Sequence, residues 1–405
     1  MKKMMKALVA VPVLVGLAAV PAIAEERLSL SGEMRVRGWT VDDDEGIGGR
    51  DESYVDQRLR MMGKIKAAEG VYAVFRLDAT EARWGRYAGF GSGRLPADGS
   101  SMQWDRAYLD LTKGMFNMQA GLIYAGVSPS QVVNSQDNGI QVQFKGSVPV
   151  KAFVLLDDDG YTPAVAATDT TPAVPASDGD DAFLYAVSVA PTFGEVKTEF
   201  FGAGYNGGET DEDVYAFGAS VAAPLGMATL VGEINFFTGD AAEDVDAMGL
   251  QGYFGADLAI TDTITIQPLI WYAMAADDDE VQYSWLGNDF DGWDPVWEVG
   301  TKLSNEQIDL GRPFDWTGAG AGLIGGTLKV FAKVSDALNL GASVGYLTVE
   351  DDNIIDADAL AIAAGGSYAI MDNTSLHAQV QYLSVDGDDV DGDGFQAGVG
   401  LFVSF

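Results

Sequence analysis

Thirteen of the chain's 24 basic residues crowd between Arg27 and Arg106. Eight of these, Arg35, Arg37, Arg58, Arg60, Lys64, Lys66, Arg76 and Arg106, fall on alternating positions of extended-looking stretches. In a β-strand every second side chain points to the same side, so four neighbouring strands would gather them into one basic wall. Guanidinium and ammonium groups stay charged at neutral pH. Their chemistry is electrostatic: they concentrate, orient and sort ions and charged solutes. Glu33, Asp78 and Asp110 share the same parity, and Glu233 sits likewise on a later segment. These carboxylates either neutralise the bases locally or form the second pole of a transverse field. Bond-making chemistry has little to work with. One histidine and no cysteine remove thiol nucleophiles and the common His/Cys metal sites. A serine–histidine pair would need His377, which lies mid-segment on a polar parity. The chain therefore reads as a non-enzyme.

Acidic residues dominate elsewhere, 60 in all, for a formal net charge of −36. That balance argues against nucleic acid, whose phosphates need basic patches. The acids cluster at Asp42–Glu45, Asp157–Asp159, Asp277–Glu280, Asp351–Asp352 and Asp386 to Asp393. Such runs either form a solvated rim or bind Ca²⁺ or Mg²⁺ weakly. Asp389, Asp391 and Asp393, followed by Gly394, match the opening of a calcium loop. Position twelve of that loop is Gly400 rather than Glu, and a strand pattern follows, so an EF-hand is rejected. Residues 276–318 hold four of the eight tryptophans, Trp285, Trp293, Trp297 and Trp316, with Tyr283, Phe290 and Phe314. Ser304-Asn305-Glu306-Gln307 resembles a capping box and predicts a short helix over 304–310. A connection this aromatic does not float in water. It folds inward and constricts, latches a neighbouring subunit, or offers an aromatic slide for sugars.

The elements that must position these residues are strands. Residues 28–37 alternate Leu28, Leu30, Met34 and Val36 with Ser29, Ser31, Glu33, Arg35 and Arg37; residues 58–66 alternate Leu59, Met61 and Ile65 with Arg58, Arg60, Lys64 and Lys66. The chain ends on the same period, with Phe395, Ala397, Val399, Leu401, Val403 and Phe405 on one parity. The spacing predicts about eighteen such segments, or sixteen if the short polar stretches near 138–157 drop out. Short turns alternate with long connections, and an even count puts both ends on the short-turn side. No stretch beyond residue 24 reaches the ~18 apolar residues of a membrane-spanning helix. Lys2, Lys3 and Lys6, the apolar run Ala7 to Val20 and Ala22-Ile23-Ala24 read as a secretory signal cleaved after residue 24. The 24 basic residues then fall to 21, and residues 25–405 form one domain. The expectation is a transmembrane antiparallel β-barrel, all-β, with short periplasmic turns and long external loops. At eighteen strands the bore is too wide for side chains to fill, which predicts an aqueous channel.

Signal, alternating strands, alternating loop lengths and terminal Phe405 together resemble a Gram-negative outer-membrane porin. The resemblance implies passive diffusion of ions and small hydrophilic solutes, a homotrimer and an outer-membrane location among lipids and lipopolysaccharide. It also implies insertion by the barrel assembly machinery, which reads Phe405, Val403 and Leu401. One departure stands out: the third long connection, 125–137, is short, whereas general porins constrict with a long one. The long one here is 276–318, which leaves the place of the constriction open. Two alternatives remain beside the diffusion porin. One is a channel specific for an anion or a sugar. The other is a structural or adhesive barrel with a plugged bore, for which Phe153, Leu155 and Trp271 are bulky groups on the inward parity.

Overall fold

In a computed structural model the chain forms one closed antiparallel barrel. The described residues are 27–44, 49–84, 103–158, 161–162, 177–178, 181–208, 212–276, 280–287, 296–303, 322–351, 356–388 and 391–405. The wall strands are β1 (Leu28–Asp43), β2 (Asp51–Ala68), β3 (Val71–Arg83), β4 (Gln103–Lys113), β5 (Phe116–Val127) and β6 (Val133–Phe144). Next come β7 (Val150–Asp158), β8 (Ala182–Val189), β9 (Val196–Asn206), β10 (Asp213–Leu225), β11 (Ala228–Ala242) and β12 (Val245–Ala259). The last six are β13 (Ile264–Ala273), β14 (Leu323–Lys333), β15 (Leu338–Val349), β16 (Asp358–Met371), β17 (Thr374–Asp386) and β18 (Gly392–Ser404). Eighteen is thus the strand number. Residues 133–144 and 150–158, the doubtful region, both span the wall.

Each strand pairs with its sequence neighbour, and β1 closes on β18 from Glu33↔Ser404 to Asp43↔Gly394. Closure joins the first and last strands, so that nearly all strand backbone is paired within the wall, as a hydrocarbon surround demands. Side-chain alternation follows the pleat. Leu30, Trp104, Leu109, Ile234 and Phe254 stand exposed on the outer face, whereas Arg35, Arg37, Gln379 and Gln381 are buried inside. The tight turns need left-handed backbone, supplied by Gly226 (φ 65°) and Asn373 (φ 61°), residue types that reach that region at low cost.

The interior is not uniform. A buried apolar cluster draws on every strand from β5 to β17, including Ile123, Phe153, Leu184, Phe237, Trp271 and Leu383; from β1–β4 only the partly buried Tyr108 packs against it. Its members lie toward the long-loop end of their strands. Deeper inward positions on the same strands are polar, among them Gln141, Asn235, Gln251 and His377.

Candidate functional site: a basic wall facing an inward-folded loop

The eight basic residues do come together on β1–β4. Across β1 and β2 the register sets Arg35 opposite Arg58, Glu33 opposite Arg60 and Arg37 opposite Asp56. Arg37 Nε donates to Asp56 Oδ1 at 2.9 Å, and the Trp39 indole donates to the other oxygen at 3.1 Å. Arg60 forks onto Asp78 at 2.5 and 2.7 Å. Arg58 stands 3.6 Å from Glu33. Arg76 pairs with Asp105, which also lies 3.6 Å from Arg106. The Arg106 guanidinium lies 4.8 Å from the Tyr124 ring centre, and Lys64 3.9 Å from that of Tyr72. Lys66 pairs with Glu69 at the turn, 3.0 Å away. Asp110 accepts from Asn117 at 2.7 Å rather than from a base. Among the described residues the middle of the wall therefore holds more cations than carboxylates. Arg58, Arg60, Arg76 and Arg106 remain partly exposed to the bore.

Asp56 and Asp105 are the partners that sequence reasoning missed. Asp56 shares the parity of Arg58 and Arg60 and was readable as an inward carboxylate. Asp105 was not, because a register shift between Arg76 and Leu77 lets it turn inward out of alternation.

Glu233 takes no part in this wall. Buried on β11, it accepts the Ser130 hydroxyl at 2.5 Å, the Ser130 backbone N–H at 3.1 Å and the Asn235 amide at 2.8 Å. It thereby ties down the short connection between β5 and β6, which folds inward despite its length. Ser128 (φ 75°) and Gln131 (φ 59°) sit in the left-handed region to make that bend.

The long connection between β13 and β14 folds inward too. β13 ends opposite Gln251, leaving the outer part of β12 open, and Glu280–Gln282 fills that edge in parallel. The chain then crosses the bore. Leu286 N–H donates to Val132 C=O at 2.7 Å, and Asn134 N–H donates to Leu286 C=O at 3.0 Å. A second stretch, 296–303, lies along the inside of β15, β17, β18 and β1. The Ser343 hydroxyl donates to Val296 C=O, the Gln379 amide to Trp297 C=O at 3.3 Å, and the Thr301 hydroxyl to the Gln379 carbonyl oxygen. Lys302 N–H donates to His377 Nδ1 at 3.2 Å, and Leu303 is buried with Trp39 and Phe402. Leu286, Val296, Trp297 and Val299 thus join Phe153, Leu155 and Trp271 in the apolar cluster. Wall side chains alone do not fill a bore of eighteen strands, as expected, but on the β5–β17 side described residues of the connection add to them and narrow it.

On the outer side of this crossing, Asp157, Tyr205, Glu212, Tyr283, Trp285 and Gly287 line a cavity of about 260 Å³. The Tyr205 hydroxyl donates to Asp157 at 2.9 Å and that of Tyr283 to Glu212 at 2.6 Å. Burial, and then the Glu212 hydrogen bond, push the Tyr283 phenol well above its ordinary value.

The closing strand has its terminal residues in register. Phe405 exchanges backbone bonds with Gly32 at 2.8 and 3.0 Å, and Val403 and Leu401 face Met34 and Val36. Among the described residues no group of three acidic, histidine or cysteine side chains is set to hold a metal. Asp393 instead accepts the Tyr382 hydroxyl at 2.7 Å on its carboxylate and the Asp44 N–H at 3.0 Å on its C=O, while its own N–H donates to the Asp44 carboxylate at 2.9 Å. The signal expected at 1–24, the helix expected at 304–310, and Asp389, Trp293, Trp316, Phe290 and Phe314 lie outside the described residues.

No family model matches this chain, and no curated protein matches it by sequence. Solved structures do match by fold. The BenF-like porin from Pseudomonas fluorescens Pf-5 aligns over 94% of this chain and 98% of its own, with a TM-score of 0.57 and 11% identity. OccAB1 from Acinetobacter baumannii aligns over 93% and 97%, at 0.59 and 12%. OpdK from Pseudomonas aeruginosa, solved with vanillate, aligns over 93% and 99%, at 0.54 and 10%. The chain has the fold of outer-membrane porins over nearly its whole length.

Proposed function

We propose that this chain is an outer-membrane porin through which ions and small hydrophilic solutes diffuse passively, with a preference for anions. One observation carries the reading. The apolar cluster occupies the β5–β17 side, and the loop reaches β1 only where Leu303 packs with Trp39 and Phe402, whereas the middle of the β1–β4 wall stays polar, net positive and partly exposed. What passes therefore passes along arginines, whose fixed charge raises the local anion concentration. The fold-level likeness to porins, one of them solved with the aromatic carboxylate vanillate, supports the same reading. The expected export signal, terminal Phe405 and apolar outer face fit an outer-membrane barrel. The homotrimer, lipopolysaccharide contacts and weak divalent-cation binding at the acidic loops belong to this proposal as well. Single-channel recording in a planar bilayer with a salt gradient tests it, comparing wild type with the double variant Arg58→Ala, Arg60→Ala. Open steps whose ion preference moves toward cations in the variant support the basic wall. Unchanged preference sinks the wall and keeps the pore. Folded, inserted protein that does not conduct returns the structural, plugged reading.

A second reading, a channel specific for a sugar, is favoured by the outer cavity. Two carboxylate acceptors beside Tyr205, Tyr283 and Trp285 suit a hydroxyl-bearing ring. A sugar that interrupts the current from the loop side, and ceases to do so in Trp285→Ala, would support it. Current indifferent to every sugar tried would remove it.

A further inference from the structure

The wall assigned from sequence lies on four strands, yet one more cation reaches it from the inward-folded connection between β13 and β14. Lys302 belongs to the inward stretch 296–303. Its Nζ lies 3.3 Å from Glu33 Oε2, the same carboxylate that Arg58 approaches at 3.6 Å. It also stands 5.6 Å from the Phe402 ring centre, and its side chain is about half exposed. An exposed surface pair of this length would hold neither partner in place. What places Lys302 is its backbone. Leu303 is buried with Trp39 and Phe402, Thr301 is bonded to Gln379, and the Lys302 N–H between them is accepted by His377 Nδ1 at 3.2 Å. An accepting Nδ1 leaves the ring hydrogen on Nε2, which faces Ser375 Oγ at 2.8 Å. The ring is itself fixed edge-on against Phe402, with centres 4.9 Å apart. The single histidine of the chain is thus the acceptor that holds one loop residue on the inner wall.

We infer that Lys302 is a specificity-determining residue of the pore, a loop-borne member of the basic wall, and that His377 is its positioning residue. The inference rests on reading the barrel as a pore. Its physical content is simple. Glu33 would otherwise subtract from the field of Arg35 and Arg58, and Lys302 offsets it while leaving the arginines unaltered. A charge on a loop also differs from one on a strand, because its place depends on the loop's attachment as well as on the lysine.

The test measures the zero-current potential across a KCl gradient for five proteins: wild type, Lys302→Gln, Lys302→Arg, His377→Phe and His377→Asn. Heat-modifiable electrophoretic mobility confirms that each barrel is folded. Lys302→Gln should lower anion-over-cation permeability roughly twofold, the scale of one unit charge several ångströms from an ion in a watery bore. Lys302→Arg should keep it. His377→Phe keeps the lysine and the ring packing but removes the acceptor, and should shift preference the same way. His377→Asn places an acceptor oxygen near the Nδ1 position and should restore it. Unchanged selectivity in folded Lys302→Gln overturns the role of the lysine. A shift in Lys302→Gln with none in His377→Phe overturns the positioning role alone. Wild-type protein that inserts and never conducts removes the pore, and this inference with it, which separates that failure from the others.

Discussion

The Arg37 side chain is almost fully buried, and Asp56, shared with the Trp39 indole, is the ion-pair partner the geometry assigns to it. Removing one partner of a buried pair costs far more than the pair contributes, because a charge is left in low dielectric. Asp56→Ala should therefore lower barrel stability by about 3–5 kcal/mol, seen as a drop in the urea midpoint of unfolding in detergent or lipid. Glu233→Ala acts differently. It strands the Ser130 and Asn235 donors, a loss of about 1–3 kcal/mol, and frees the β5–β6 connection. Its signature should be added current noise with ion preference unchanged, since Glu233 faces no cation of the wall. Tyr283 gives a pH dependence. Its phenol is held protonated in the folded state, so the folded-state pKa lies above the unfolded one. The stability from its bond to Glu212 is fully present below about pH 10, the unfolded value, and is lost as pH rises above it. Thermal melts from pH 8 to 11 should show this alkaline loss in wild type and a flatter profile in Tyr283→Phe.

At the scale of elements, two connections of very different length meet in the bore. The short one is pulled in by a single carboxylate on β11, and the long one by apolar surface that water would not hold in solution. They share backbone bonds at Val132, Asn134 and Leu286. Leu286→Asp puts an unpaired charge into the apolar cluster and should release the crossing, raising unit conductance while the barrel keeps its heat-modifiable mobility. The closing strand carries a separate expectation. The Phe405 backbone is bonded to Gly32, and a Cβ at Gly32 would lie 2.6 Å from the Phe405 ring, so ring and backbone seal the β1–β18 seam together. Deleting Phe405 should leave protein in the periplasm, readable as a protease-sensitive pool that never reaches the membrane fraction.

For the molecule as a whole, strand closure, an apolar outer face and a divided interior define the bore. Strand number, antiparallel order and the inward parity of Arg35, Arg37, Arg58, Arg60 and Arg76 were legible in the sequence. A period of two is a local property, written in adjacent residues and imposed by the pleat. Turns and charge runs interrupt that period visibly as well, yet they mislead between β11 and β12, where 239–246 reads as a long connection and is a tight turn between Ala242 and Val245. The destinations of the loops were not legible. Nothing adjacent to Ser130 names Glu233, about a hundred residues on, and nothing adjacent to Lys302 names Glu33 or His377. Such contacts exist only after closure brings distant strands around one bore, and β-bulges such as that at Asp105 re-aim side chains that alternation alone would misplace. The sequence by itself determined a barrel with a basic wall, because strand pairing is driven by near-neighbour pattern. Only the tertiary structure decided which side of the bore is filled, and which loop residues reach that wall, because both depend on long-range packing inside a closed sheet.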